Sequence, residues 1–435
     1  MARMADSARR RRFLGWDTVV GGAGLQLLQS ALFFQSFGVY VVVWADDLGW
    51  SRGAISGGYA LVTLLGGVMG PLHGALLDRF GVRRLVFIGL LALTLGLVAL
   101  SAMTSLATFY AAMLLTGFGL ALSGFLSITT AVVPWFVRRR STALSLMSIG
   151  ISLGGLLVPL VAAAVVEIGW RETLQLSAAL TLLAGLPLAV LMRSAPETYG
   201  QRPDGVDAPS ARSPLGQPPR PQPLRPQRQD HTLAEALRTR AFWMIGIGHA
   251  AALLAMSAVT VHLVAHVSEG LGFSLQQAAT AVALVTLTSA LGQIIGGPLG
   301  DRFDKRALAA GAMLVHGVAL LLLAWGPGWS AVVAFAVLHG FAWGVRGPLM
   351  GSIRADYFGA AHFGAIMGAS MMVFMVGQLV GPILAGSLAD RLGDYRLGFS
   401  ILAAVASVSS LTFWLATPPA SPRRPASAAQ RAGGE

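Results

Sequence analysis

One arginine stands where charge is hardest to keep. Arg346 lies in an apolar run, 329–353, between Gly344 and the pair Gly347-Pro348. Arg354, read as the residue that closes the run, follows eight positions later. Eight residues are about 12 Å of helix, farther than an arginine comfortably snorkels. An unpaired charge at such depth costs at least about 2.5 kcal/mol, so it should face a wet cavity, an anion or a partner. No Asp or Glu deep in an apolar run offers itself. The chemistry open to Arg346 is recognition of an anion such as a carboxylate, or bonding to backbone carbonyls loosened by its glycine and proline neighbours.

Other polar residues sit at helical spacing inside apolar runs. Gln26, Gln29, Phe33, Ser36 and Tyr40 fall on one face of the first run. His249, Met256 and Thr260 trace a line on the seventh, with His262 and His266 near its far end. A histidine in such a place can carry a proton near neutral pH, or serve as a neutral hydrogen-bonding group. Gln293 and Gln378 are further polar positions that could line a pathway. No paired carboxylates, metal-spaced histidines or Ser-His-Asp set converge, so neither an enzyme nor a bound metal or cofactor is expected. The chain has no cysteine, which excludes disulfides and thiolate chemistry.

These residues need a scaffold suited to lipid. Of 435 residues, 55% are hydrophobic and 11% charged, where a soluble domain would carry about 25% charged. Apolar runs long enough to span a bilayer, about 20 residues, recur about twelve times. They are 15–44, 53–77, 85–104, 107–134, 143–166 and 172–193, then 241–267, 275–300, 307–325, 329–353, 363–389 and 397–417. The expected organisation is an N-tail (1–14), a six-helix bundle (15–193), a linker (194–240), a second six-helix bundle (241–417) and a C-tail (418–435). The linker contains SPLGQPPRPQPLRPQRQD and is too polar and Pro-rich to bury apolar surface, so it is expected to be disordered or extended. The net charge is +12, but its distribution argues against nucleic acid. Basic residues cluster in alternate loops: the N-tail, 79–84, 138–140, 193–240, 302–306, Arg354 and the C-tail. The opposite loops hold Arg52, Arg171, Arg391 and Arg396. This asymmetry predicts both termini and the linker on the cytoplasmic side. The basic start followed by an uninterrupted apolar run reads as an uncleaved first spanning helix.

The two halves repeat. GALLDRFGVRR (74–84) returns as GPLGDRFDKR (297–306), and one offset of 223 residues, from Asp78 to Asp301, also aligns LGWS (48–51) with LGFS (271–274) and ALVT (60–63) with ALVT (283–286). Pro159 aligns with Pro382, and Arg346 with Ser123. A single register at separated points predicts a duplicated bundle with its site near the midplane between the repeats.

Gly74-x-x-x-Asp78-Arg79-x-Gly81-x-Arg83-Arg84 resembles the loop signature of the major facilitator superfamily, and the second copy lies where that family has one. LGWDTVVGG, PWFVRRRSTALSLMSIGISLGG (134–155) and FGVYVVVWADDLGWSRGAIS (37–56) resemble the monocarboxylate-porter and oxalate–formate-antiporter branch, in its bacterial members. The resemblance implies an all-α membrane fold of two pseudo-symmetric six-helix bundles working by alternating access. It implies a small-molecule anion as substrate, the lipid bilayer as surroundings, a monomer, and the bacterial inner membrane as location. It also implies a cytoplasmic latch in which Asp78 meets a facing helix N-terminus and Arg79, Arg83, Arg138 and Arg139 add ion pairs, with Asp301 and Arg302 as the repeat's counterparts.

Departures limit the transfer. Proton–lactate members of the branch carry a lysine in the first helix and an Asp and an Arg four apart in the eighth. Here the first run has no lysine, and the eighth has Ser289 and Gln293. Proton coupling would then fall to a histidine, with His262 and His266 as candidates, or to the substrate's own carboxyl. A drug-efflux antiporter on the same fold is the alternative. Against it, Met113 stands where those proteins have an arginine, and no glycine precedes Pro159. A non-transporting receptor is a remoter reading.

Overall fold

The computed structural model describes residues 12–50, 52–205 and 230–420. Among them every long element is an α-helix and none is a strand. Apolar chains in lipid must pair all backbone groups internally, which leaves the helix as the open solution for runs of this composition.

Twelve helices follow in order, named here α1 to α12. The first, α1, is broken into Gly15–Gln29, a π-helical turn Ser30–Phe34, and Phe37–Asp47. The second, α2, comprises Ala54–Val68 and Gly70–Phe80, bent by 54° at Met69 ahead of Gly70-Pro71. Then come α3 (Val82–Ser101), α4 (Leu106–Trp135), α5 (Arg140–Ile168) and α6 (Trp170–Val190). The second half has α7 (Arg240–Ser268), α8 (Leu275–Arg302), α9 (Lys305–Trp325), α10 (Gly328–Phe358), α11 (Phe363–Leu392) and α12 (Arg396–Leu415). Ten of these are long and apolar enough to cross a membrane, and the bent α2 makes an eleventh. The broken α1 is the twelfth expected run. Ser105 and Ser274 start α4 and α8 with capping boxes, satisfying orphan N–H groups as short polar residues do at such ends.

The core divides by halves. Two clusters centre on Leu25, Val86, Trp135 and Phe136, and on Phe33, Trp44, Phe109 and Leu174. Two more centre on Phe242, Leu349 and Phe413, and on Val259, Phe335 and Phe399. The first reaches across to Phe363, Met367 and Phe374 of α11.

Two expectations need correction. Arg354 closes no loop: α10 continues to Phe358 and Arg354 is 1% exposed. The linker is ordered at both described ends, while 206–229 lies outside the described residues. Asp204 accepts hydrogen bonds from the backbone N–H groups of Val137, Arg138 and Arg139. Asp230 accepts from those of Ala360 and Ala361. Residues 137 and 138 match 360 and 361 under the 223-residue offset, so the linker's two ends cap the same place in each half. Free backbone donors ahead of a helix favour a carboxylate, and that outweighs the linker's polar composition at its ends.

Candidate functional site

At the arginine-rich end the two halves meet through four helix ends. Asp301, at the end of α8, accepts from Ser141 N at 2.8 Å, Thr142 N at 3.0 Å and Thr142 Oγ1 at 2.6 Å, all at the N-terminus of α5. Asp78, at the end of α2, accepts from Ala365 N at 3.3 Å at the N-terminus of α11. Positions 142 and 365 are themselves 223 apart, so both halves make one contact in one register. The signature glycines permit it. A Cβ on Gly74 would collide with the Gly364 carbonyl, and one on Gly297 would lie 2.8 Å from Thr142 Cα. Ser141 and Ser352 hydroxyls add a 3.0 Å hydrogen bond across the halves.

The ion pairs at this end are not the expected ones. Arg140 and Lys305 both engage Asp356 near the end of α10, Lys305 Nζ at 2.7 Å. Arg83 bonds Met192 O and Tyr199 Oη within its own half. Arg79 stacks on Phe80 at 5.2 Å, while Arg138 and Arg302 are exposed. Sequence spacing missed Arg140 and Asp356 because their partnership depends on packing between halves.

Deeper lies a cavity of about 280 Å³ between α1, α2, α4 and α11. Its polar lining includes Gln29, Tyr59, Thr63, His73 and Gln378, facing Phe34, Met371, Phe374 and Met375. Gln29 Nε2 donates to Ser123 O and Ser123 Oγ at 3.1 Å each. His73, which the sequence did not single out, contacts Ser127 Oγ at 3.0 Å.

The expected polar stripe of α1 is split. Gln29 lines the cavity, but Phe33 and Tyr40 are packed in the core and Ser36 bonds the Ala31 carbonyl. A π turn inserts one residue per turn relative to α pitch, so Phe34 rather than Phe33 faces the opening. Gln26 is buried with both side-chain polar atoms unpartnered. Thr260 is exposed and bonds Met256 O, and Gln293 is buried with Oε1 unpartnered. His262 and His266 each have Nε2 on a backbone carbonyl, Pro382 O at 2.9 Å and Leu323 O at 3.0 Å. Those contacts tie the two rings to α11 and α9 respectively.

Arg346 is 0% exposed, and none of its three guanidinium nitrogens has a hydrogen-bond partner. No backbone oxygen accepts a hydrogen bond from it. Its guanidinium sits 4.9 Å from the Trp343 ring. It is absent from the cavity's lining. Arg354 is the second buried cation on α10. It donates to Ser370 Oγ and Met350 O, leaving Nη2 unpartnered. Phe374 connects the two zones. It lines the cavity, while behind it lie the His249 ring at 4.3 Å and the Arg354 guanidinium at 5.9 Å. The arrangement is a small polar-and-aromatic chamber with Arg354 behind its Phe374 wall, and with Arg346, the other buried cation of α10, outside its lining.

The model of the family described as Major Facilitator Superfamily matches residues 23–279 and 245–433. The chain belongs to the major facilitator superfamily. Among relatives of this superfamily member, bovine (Bos taurus) monocarboxylate transporter 13 is 28% identical over 398 residues, covering 90% of this chain and 86% of the relative. The MFS transporter asaE of Aspergillus flavus is 27% identical over 336 residues, covering 75% and 69%. The solved structure of the human organic anion transporter MFSD10 (TETRAN) superposes with a TM-score of 0.69 at 20% identity, covering 93% of this chain and 99% of that one. The Escherichia coli fucose:proton symporter FucP (N162A) gives 0.69 at 13% identity, covering 92% and 98%. The protein is thus a multi-pass membrane transporter with monocarboxylate-transporter relatives. Those relatives are fungal and mammalian and lend the bacterial origin no support.

Proposed function

We propose that this transporter carries a small organic anion, a mono- or dicarboxylate, by alternating access between bundles 15–193 and 241–417, joined by the linker 194–240. The observation that carries the reading is Arg346, wholly buried with every guanidinium nitrogen unpartnered. Such a charge is costly in a membrane interior; a transported anion offsets that cost while it is bound. Arg354, 5.9 Å from the Phe374 ring that lines the cavity, adds a second buried positive charge on the same helix. Gln29 and Gln378 supply hydrogen bonds from the cavity walls.

The arginine-rich end is the cytoplasmic one under the positive-inside rule. On this reading the contacts of Asp78, Asp301 and Asp356 belong to a state sealed toward the cytoplasm. The transporter works as a monomer, both termini inside. Uptake of labelled lactate, pyruvate, oxalate and succinate into proteoliposomes tests the reading. Arg346→Gln should lower uptake at least tenfold while gel filtration stays monodisperse. Undiminished uptake by that variant would sink the anion reading.

A further inference from the structure

Two histidines outside the expected set form a closed pair inside the second half. His316 on α9 and His339 on α10 approach through their Nδ1 atoms at 3.0 Å, and both Nε2 atoms are buried without a partner. They are 1% and 0% exposed. In the neutral pair one Nδ1–H must donate to the other Nδ1 lone pair. The donor ring then holds a bare, buried Nε2 lone pair, and the acceptor ring an unused Nε2–H. Two orphaned ring nitrogens in an apolar core are costly unless they serve a purpose.

We propose that the His316–His339 pair is the site that binds the coupling proton, after the anion has neutralised Arg346. This rests on the anion reading above and names its coupling ion. The proton adds to the bare Nε2 of the donor ring, giving an imidazolium whose Nδ1–H still bonds the neighbouring imidazole. That bond becomes charge-assisted and so stronger, which a lone histidine could not offer. No bond other than N–H forms or breaks.

Arg346 supplies the ordering. It follows His339 by seven residues, which returns a helix to within about 20° of the same face. While Arg346 is uncompensated, a second positive charge nearby is disfavoured. A bound carboxylate cancels that repulsion, so the proton follows the anion and leaves with it. From α7 the titratable residue is His249, whose ring packs on Phe374 at 4.3 Å. Helices α8 and α12 bring hydroxyls to α10 and α9, Thr288 and Ser407. No acid among the described residues is seen to pair with either ring. His262 and His266 meet backbone carbonyls through Nε2, whereas His316 and His339 meet each other through Nδ1.

The test separates proton movement from anion movement in proteoliposomes loaded with a pH dye. One arm measures exchange of labelled lactate, pyruvate, oxalate or succinate against the same unlabelled anion, without a pH gradient. The other measures uptake driven by an inward proton gradient, with dye acidification. His339→Gln and His316→Asn should keep exchange within about twofold of wild type and lose gradient-driven accumulation at least tenfold. Full accumulation with acidification in both single variants and the double variant would overturn the proposal. Wild-type exchange combined with no proton-driven accumulation and no dye acidification in the gradient arm would overturn it too, whatever the variants do, and would leave the anion reading standing. Absence of exchange for every anion in wild type would sink that anion reading and this proposal together.

Discussion

At the scale of single residues, the charges that matter are the ones with unusual partners. Arg346 was conspicuous in the sequence because nothing around it could pair with it. Arg354 was not, because an arginine at the rim of an apolar run looks like a loop residue. The helix continues past it, and Arg354 ends on Ser370 with one nitrogen spare. The two latch aspartates also differ. Asp301 takes three hydrogen bonds from the start of α5, and Asp78 one at 3.3 Å from the start of α11. The complete signature therefore sits on the slacker contact. Hydrogen bonds to a charged acceptor are worth about 1.5–3 kcal/mol each. Asp301→Asn should accordingly lower the unfolding temperature, followed by scanning fluorimetry in detergent, more than Asp78→Asn does. An equal or reversed order would remove the distinction.

At the scale of elements, pairs of helices are set by small residues where they cross. Gly74 on α2 and Gly297 on α8 let backbones touch at α11 and α5. Small residues serve this role in membranes generally, since lipid gives helices no hydrophobic reason to associate. Gly297→Leu should separate α8 from Thr142, costing about 1–3 kcal/mol for the forced shift. Both the melting temperature and uptake should fall; a variant with normal values for both would show that the crossing tolerates bulk. The broken α1 shows the limit of periodicity. A face computed at constant pitch joined Gln29, Phe33, Ser36 and Tyr40, but the π turn at Ser30–Phe34 splits them between cavity and core.

At the scale of the whole molecule, the alternating access proposed above requires a second state in which the arginine-rich end opens. Asp356 holds Arg140 from one half and Lys305 from the other, with side-chain exposures of 8%, 19% and 29% for Arg140, Lys305 and Asp356. Asp356→Asn should shift the population toward the state open at the arginine-rich end. The chain has no cysteine, so a single Cys at Thr63 in the cavity wall reports cleanly. Its labelling by an impermeant maleimide added from that end should rise several-fold; an unchanged rate would mean that the other contacts suffice. The sequence alone marked the apolar runs that form helices and the constant 223-residue offset between its two copies, because a run of about 20 apolar residues in lipid pairs its backbone groups as a helix and a duplication leaves one register. It also marked Arg346, because a charge in such a run has no ordinary explanation. Tertiary structure alone decided which polar residues meet. Arg140 with Asp356, His316 with His339 and Gln29 with Ser123 are far apart in the chain, and the pitch and crossing of packed helices, not local spacing, bring them within hydrogen-bond reach.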